Sequence, residues 1–534
     1  MKPDLSGVTP LELNLATRVS IGDLLTRTAF MAPARIAISE EDTEITYREL
    51  EATSNALAAW LLETGMERQQ PVAIVMENSW KFVATYFACA KSAMVALPIN
   101  IALTPEDIDW ILRDADCSTI VVDRSLLPLV EPFLASRDEM VTTVIVTDAD
   151  HHIDYSNPVV RWEDLTADLD SRAPEILIHD RDSVQCMYTS GTTSKPKGVL
   201  VSHVSLYIAC LTNALQLRHE WGGRHSTMLT VLPLFHTTGL NTLTLPVLLT
   251  GGTVVLRKKF DPSNAFEAIE HLEVTHTLML PIMYRALVAE SRTHGRQLPS
   301  MTHALYAMAP MPEALLHEVS QTMPNAVVVL GSGQTEVVPV TALQWPEHSV
   351  AKRESWGQSS VTVETQIVSA EGEVLAPGME GEITYRGPNV SSGYWNNAEA
   401  NRTAFAGGRF HSGDLGLLDD ERVLWFTDRM KDIVKSGGEN VSSIHVESVI
   451  SAIPGVSECS VIGVPDDRWG EAVCAVVVPS DPAQDDDDLR ARITAGVRAE
   501  LAGFAVPKQI VLVDEMPKTA TGKTQKHELR KQLG

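Results

Sequence analysis

The sequence predicts an α/β protein: a large N-terminal region of doubly wound sheets, a β-rich subdomain, and a small C-terminal α+β domain. Three observations carry this. Over 21–122, short apolar runs alternate with amphipathic segments of helical period, as strands and helices do around a parallel sheet. Over 362–394 the pattern turns to period two, with turns at Glu371-Gly372 and Pro377-Gly378. Past the charged run Asp428-Arg429-Met430-Lys431-Asp432, two strands and two helices follow in a short compass. At 534 residues the chain exceeds what one core supports, so at least two domains are expected.

Ile36-Ala37-Ile38-Ser39 reads as a strand and Ile45-Thr46-Tyr47 as a second. Thr46 and Glu49 have capping-box spacing, and Leu50, Leu57, Trp60 and Leu61 keep an apolar helical face. Residues 72–76 read as a buried strand, Asn78 precedes a helix through Phe82 and Tyr86, 93–98 is a strand, and Thr104 caps the next helix. Further strands are expected at 119–122, 184–188, 228–232, 253–256, 277–280 and 326–330. Helices are expected at 204–217, 240–249 and 265–272, the second with Pro246 inside, where a backbone donor is lost. In the tail, strands fall at 460–464 and 474–478 and helices near 446–452 and 489–501. Asp485, Asp486, Asp487 and Asp488 open the last helix, where acidic side chains suit the dipole.

Net charge is −26, which argues against non-specific nucleic-acid binding and requires a local cationic patch for any anionic ligand. The six cysteines make no CxxC pair, so no zinc or redox motif is indicated. The N-terminus lacks the charged and apolar regions of a signal peptide, and no apolar run is long enough to span a membrane. A cytoplasmic location is the default expectation. Oligomeric state is left open, a homodimer included.

The stretch Thr189 to Gly198, TSGTTSKPKG, is rich in hydroxyls, glycines and lysines between apolar elements. Such a loop suits a polyphosphate: glycines let backbone N–H groups approach, hydroxyls donate, and lysine supplies charge. It equally suits a plain surface loop. A Walker loop fails, because Pro196 stands where the second glycine is needed, and a serine nucleophile elbow fails at Tyr188 and Thr192. Five other stretches carry chemistry: Pro233–Gly239 with His236; Gly331-Ser332-Gly333-Gln334-Thr335-Glu336; His411-Ser412-Gly413-Asp414; 428–440 with Arg429, Lys431, Lys435 and Gly437-Gly438; and the basic loop ending in Lys523. Alone, each has a structural explanation: a turn cap, a satisfied core histidine, a solvated lysine. Together, in this order, they carry more.

YTSGTTSKPKG, DRMKDIVKSGGENV and the upstream KSAMVALPIN resemble the adenylate-forming superfamily, nearest in style to its acyl-CoA synthetases, over almost the whole chain. The resemblance implies an N-terminal domain over 1–428, a hinge over 429–432 and a mobile C-terminal domain over 433–534. It implies that a carboxylic acid and ATP, with Mg²⁺, give an acyl-adenylate, and that coenzyme A then displaces AMP after domain rotation. By resemblance Thr189, Ser190, Gly191, Thr192, Thr193 and Lys197 cradle the phosphates, Thr335 meets the α-phosphate and Glu336 holds Mg²⁺. Ser332, Gly333 and Gln334 line the nucleotide site, Asp414 accepts ribose hydroxyls, and Arg429 reaches ribose or phosphate. Lys523 serves adenylation. Lys435 joins in thioester formation, Lys431 is the hinge position, and Gly437 and Gly438 line the pantetheine tunnel. His236, Ala307, Ala309 and Gly331 border an apolar acyl pocket, with His236 between pocket and tunnel.

The chain departs from the family where Ser332 replaces the tyrosine that stacks on adenine and Leu330 replaces an asparagine. One consequence is a larger acyl pocket. A second reading is a ligase that forms thioesters only, on a supplied acyl-adenylate. A third is a stand-alone enzyme that loads a carrier protein.

Overall fold

The computed structural model describes residues 3–135, 143–148, 159–167, 172–189, 195–221, 225–307, 311–481, 485–518 and 524–534. The chain forms two compact units: one takes in 1–189, 196–364 and 385–403, the other 365–384 and 404–534.

The first unit holds two mixed sheets. One runs Gln358–Ser359, Val340–Gln344, Val327–Gly333, His303–Tyr306, His276–Met279, Thr227–Thr230, Thr253–Leu256, Ile36–Glu40 and Thr43–Thr46. Its interior strands pair parallel, and antiparallel strands close both edges. The other runs Gly393–Tyr394, Lys197–Ser202, Ser183–Thr189, Val95–Pro98, Pro71–Val75, Thr119–Asp123, Thr143–Thr147 and Val159–Arg161. Here the strands from Val95–Pro98 out to the edge strand Val159–Arg161 pair parallel, and Lys197–Ser202 and Gly393–Tyr394 extend the other edge antiparallel. The interior strands are buried on both faces, Pro71–Val75 along its whole length, which is why they read as unbroken apolar runs.

Helices Ile21–Met31, Tyr47–Glu63, Trp80–Lys91 and His203–Gln216 pack their apolar residues into one core with both sheets. The capping box at Thr46 and Glu49 is formed, so the expected strand ends at Thr46 and Tyr47 opens the helix. Ser79 caps the helix that Asn78 precedes, accepting from Phe82 N. Asn78 is buried and used otherwise: its amide donates to Leu232 O and Arg257 O at 3.0 Å each and its oxygen accepts from Leu234 N at 2.8 Å.

Two further expectations are corrected. The segment expected as one helix over 240–249 is a π-helix, Thr238–Thr244, followed by the α-helix Leu245–Leu249. Pro246 sits in the first turn of the second helix, where its missing N–H costs no hydrogen bond. The Thr244 hydroxyl donates to Gly239 O at 2.8 Å, five residues back, which suits the wider turn. The strand expected to stop near Leu330 continues through Gly333, because Val340–Gln344 turns back and pairs with it across Gly331, Ser332 and Gly333.

The second unit carries a four-stranded sheet, Glu364–Val368, Gly381–Arg386, Phe410–Leu418 and Leu424–Arg429. A second sheet is built on the long hairpin Val456–Asp466 and Gly470–Pro479, with Val434–Ser436, Glu439–Val441 and Gln509–Leu512 alongside. Helices Ser443–Ser451 and Asp486–Glu500 bury Val446, Ile450, Leu489, Ile493 and Val497 against it. The Asp485 side chain accepts from Asp487 N and Asp488 N and so caps the second helix.

Candidate active site

The strands that flank the hydroxyl-rich stretch pair antiparallel. Ser183–Thr189 enters and Lys197–Ser202 leaves, with Tyr188 opposite Gly198 and Thr189 opposite Lys197. Gly198 is needed for this pairing, since a Cβ there would lie 2.9 Å from Cys186 Sγ and 3.0 Å from the Tyr188 ring. Tyr188 anchors the entering strand by donating to Asp114 Oδ2 at 2.6 Å, and burial beside that carboxylate raises its phenol well above the ordinary value. Ser190, Gly191, Thr192 and Thr193 lie outside the described residues, as do Ala309 and Lys523. The hairpin thus leaves Lys197 at the loop's exit.

Gly333, Gln334, Thr335 and Glu336 form the next part. A Cβ on Gly333 would sit 2.1 Å from Pro339 O, so the close return of the chain demands glycine there. Gly331 is under no such demand: its nearest neighbour would be Leu343 at 3.7 Å. Ser332, between them, is half-buried, pairs with Ala342 and has its hydroxyl 3.3 Å from that of Thr341. Thr335–Val337 is a single 3-10 turn, after which Val338 adopts φ 61 and ψ 56. A β-branched residue in the left-handed region is strained by of order 1–3 kcal/mol. The surroundings hold it: Gln334 N donates to Pro339 O at 2.9 Å, the Asn389 amide to Val337 O at 2.9 Å, and Ser391 N to Glu336 O at 2.7 Å.

The Glu336 side chain is also held. The Tyr394 hydroxyl donates to Glu336 Oε1 at 2.9 Å, and the Lys197 ammonium lies 5.0 Å from the centre of the Tyr394 ring. Two side chains singled out in the sequence, one cationic and one anionic, therefore meet on a third that was not. His236 sits just before the π-helix, with its Nδ1 accepting from Thr238 N at 3.3 Å, and Ala307 follows the strand His303–Tyr306. Gly239 brings this turn together, since a Cβ there would be 2.2 Å from Pro233 O.

In the second unit, Asp414 and Arg429 are register partners on neighbouring strands, Nε to Oδ1 3.5 Å. Ser412 Oγ accepts from Asp414 N at 3.0 Å and Glu382 Oε1 accepts from Gly413 N at 3.0 Å, which fixes the turn. The carboxylate is nearly buried while Arg429 is partly exposed, an arrangement able to accept two hydroxyls from a sugar. Lys435 is exposed on the short strand Val434–Ser436. Gly437 and Gly438 form the two-residue turn between that strand and Glu439–Val441, with φ +63 and +90. A Cβ on Gly437 would also be 2.7 Å from the Trp469 ring. Hairpin geometry thus gives both glycines a local reason, independent of any tunnel.

Among the described residues no group of three or more His, Cys, Asp or Glu is placed to hold a metal. Magnesium needs no such cage, because it keeps waters and takes one or two carboxylates plus phosphate oxygens. A lone, oriented Glu336 fits that donor set.

The model of the AMP-binding enzyme family matches residues 25–395, and that of the AMP-binding enzyme C-terminal domain matches 445–523. The chain belongs to the AMP-binding enzyme family. Among its curated relatives, a feruloyl-CoA synthase from Amycolatopsis is 34% identical over 514 residues, covering 96% of this chain and 99% of that protein. The structure of the anthranilate CoA ligase AuaEII with anthranoyl-AMP is similar with a TM-score of 0.84 at 26% identity, covering 97% of this chain and 98% of that one. The o-succinylbenzoate coenzyme A synthetase of Bacillus subtilis with ATP and magnesium gives 0.80 at 29% identity, covering 96% and 98%. The adenylate-forming architecture read from the motifs is thereby established for this member of the AMP-binding family. No helix among its described residues is long and apolar enough to cross a membrane.

Proposed function

We propose that this AMP-binding enzyme is an acyl-CoA synthetase, an AMP-forming acid–thiol ligase that converts a hydrophobic carboxylic acid to its coenzyme A thioester. The observation that carries the proposal is the meeting of Lys197 and Glu336 on Tyr394 within a family whose curated relatives are CoA ligases. A cation at the loop exit suits phosphate oxygens, and an oriented carboxylate suits the metal that travels with them.

In the first step a substrate carboxylate oxygen attacks the α-phosphorus of ATP, the bond to the bridging oxygen breaks, and pyrophosphate leaves. Both reactants are anions, so the barrier falls only where positive charge is fixed in advance. Lys197 and the hydroxyl-rich loop serve the terminal phosphates, Thr335 the α-phosphate, and Lys523 the carboxylate and α-phosphate together. When bound, Mg²⁺ neutralises phosphate oxygens, and Glu336 holds it. Asp414 and Arg429 serve the ribose. In the second step the thiol of coenzyme A attacks the acyl carbonyl and AMP leaves. The domain after a hinge at 429–432, with Lys431 at its centre, brings Lys435 and the Gly437-Gly438 turn to this step. His236, Ala307, Ala309 and Gly331 border the acyl pocket. The named acids of the relatives, ferulate and anthranilate, make aromatic acids the first class to offer.

One observation favours a second reading. Ser332 lies in a paired strand and offers no ring for adenine, which suits a ligase that mainly forms thioesters from supplied adenylate. A panel of acids, each also offered as its pre-formed adenylate, separates the two: brisk pyrophosphate exchange with any acid removes the second reading. Coenzyme A tested against a phosphopantetheinyl carrier identifies the acceptor. A cytoplasmic location and a homodimer are the finer proposals; sedimentation at monomer mass contradicts the latter.

A further inference from the structure

Tyr394 lies outside every motif identified in the sequence. It ends the two-residue strand Gly393–Tyr394, opposite Val199 on the strand that leaves the hydroxyl-rich loop. Its backbone is clamped from both sides. Tyr394 N donates to Asn401 Oδ1 at 2.7 Å, and the Asn401 amide donates back to Tyr394 O at 2.8 Å. The next residue, Trp395, donates through its N–H to Gly198 O at 2.7 Å and through its indole to Asp114 O at 2.8 Å. The direction of the Tyr394 ring is therefore set by groups that are not themselves part of the chemistry. A phenol is protonated at neutral pH, so the hydroxyl donates to the Glu336 carboxylate.

We propose that Tyr394 is a positioning residue for adenylation: its hydroxyl aims the Glu336 carboxylate at the metal, and its ring seats the Lys197 ammonium toward the phosphates. The inference rests on the acyl-CoA synthetase reading. A glutamate side chain that is the one protein carboxylate on a metal must be oriented, or rotamer freedom is lost on binding. With Oε1 taken by the phenol, Oε2 is left to the metal. The lysine faces the converse hazard, since a nearby glutamate of opposite charge would pair with it and neutralise both. No ion pair joins Lys197 and Glu336 among the described residues; each instead meets Tyr394, one through the ring face and one through the hydroxyl. One side chain thus keeps two opposite charges apart and pointed.

Two variants of the full-length enzyme test this, Tyr394→Phe and Tyr394→Leu. Binding is read with Mn²⁺ and a non-hydrolysable ATP analogue by electron paramagnetic resonance, and the half-reactions are followed separately. Tyr394→Phe weakens Mn²⁺–nucleotide binding about 10-fold or more, the usual effect of removing a group that orients a metal ligand. It raises the Mg²⁺ needed for pyrophosphate exchange in parallel, while metal-free nucleotide binding holds. Tyr394→Leu, which also removes the ring, weakens metal-free nucleotide binding a further ~2- to 5-fold. Thioester formation from supplied adenylate falls far less than exchange in both. Wild-type Mn²⁺–nucleotide affinity in Tyr394→Phe overturns the proposal, and so does an equal loss of both half-reactions with a lowered melting temperature, the mark of a merely structural residue. Should the wild-type enzyme exchange pyrophosphate with no acid, the functional reading fails by that result alone, whatever the binding data say of Tyr394.

Discussion

On the proposed function, Ser332 stands at the adenine seat without offering a ring. Its strand position is fixed by pairing with Ala342, and a Cβ on its neighbour Gly331 would make ordinary contact with Leu343 at 3.7 Å rather than a clash. Stacking of a base on an aromatic ring is worth about 1–3 kcal/mol, or about 5- to 150-fold in binding. Ser332→Tyr is therefore expected to lower the KM for ATP in pyrophosphate exchange by about 5-fold or more. An unchanged KM would show that adenine is seated elsewhere. Tyr394 marks the limit of what sequence could yield at this scale. It stands 58 positions from Glu336, in a strand of two residues too short to give any periodic signal. Glu336 and Lys197 stood out because each lies within a recognisable string, whereas their common partner is defined only by how two strands and a 3-10 turn meet. Val338 was equally hidden: a valine gives no hint of a left-handed backbone, which the clamps on Glu336 and Val337 impose.

At the scale of elements, the strand Leu424–Arg429 is tied to the helix Ser443–Ser451. The buried Asp428 carboxylate accepts from Ser443 N, from Ser443 Oγ at 2.8 Å and from Ser442 Oγ at 3.2 Å, at the N-terminus of Ser443–Ser451. Asp428→Ala strands these donors and should cost about 2–3 kcal/mol, read as a lowered transition for the second unit by calorimetry. A loss below about 0.5 kcal/mol would mean the surroundings reorganise to replace it. In the first unit, His219, His276 and His303 stack with ring centroids 4.4 and 4.7 Å apart. Burial pushes His276 and His303 down to about 4 and His219 below its ordinary range. The folded state therefore holds them neutral, while the unfolded chain takes up protons below about pH 6.5. Their stability contribution is intact above pH 6.5 and is lost as pH falls toward 4, at up to about 1.4 kcal/mol per pH unit for each group. Among the described residues neither ring nitrogen of His219 has a hydrogen-bond partner, so His219→Phe should flatten that slope in acid denaturation curves; an unchanged slope would place the titration elsewhere. Element boundaries were legible where a cap was recognised, as at Thr46. Thr9 and Glu12 form the same capping box before the helix Pro10–Thr17, a signal present in the sequence and passed over. The π-helix was not legible, because its apolar residues match an α-helical period until Gly239 packs on Pro233.

For the whole molecule, alternating strands and helices foretold the doubly wound class, since buried parallel strands leave unbroken apolar runs. The plural sheets were foretold, but their strand order and their antiparallel edge strands were not, because strand order depends on pairings between distant segments. The same limit applies to function. Motifs pointed to a metal–polyphosphate chemistry, but only the fold brings Lys197 and Glu336 to one ring. On the proposed function, this fold joins an acid to coenzyme A through an adenylate. The direct measurement is product stoichiometry with an accepted aromatic acid, ATP and Mg²⁺, with and without coenzyme A. Enzyme-bound acyl-AMP and pyrophosphate are expected without coenzyme A, then one AMP and one thioester per acid consumed once it is added. Thioester formed with ADP and phosphate, or with no acyl-AMP on the way, would contradict the proposed function.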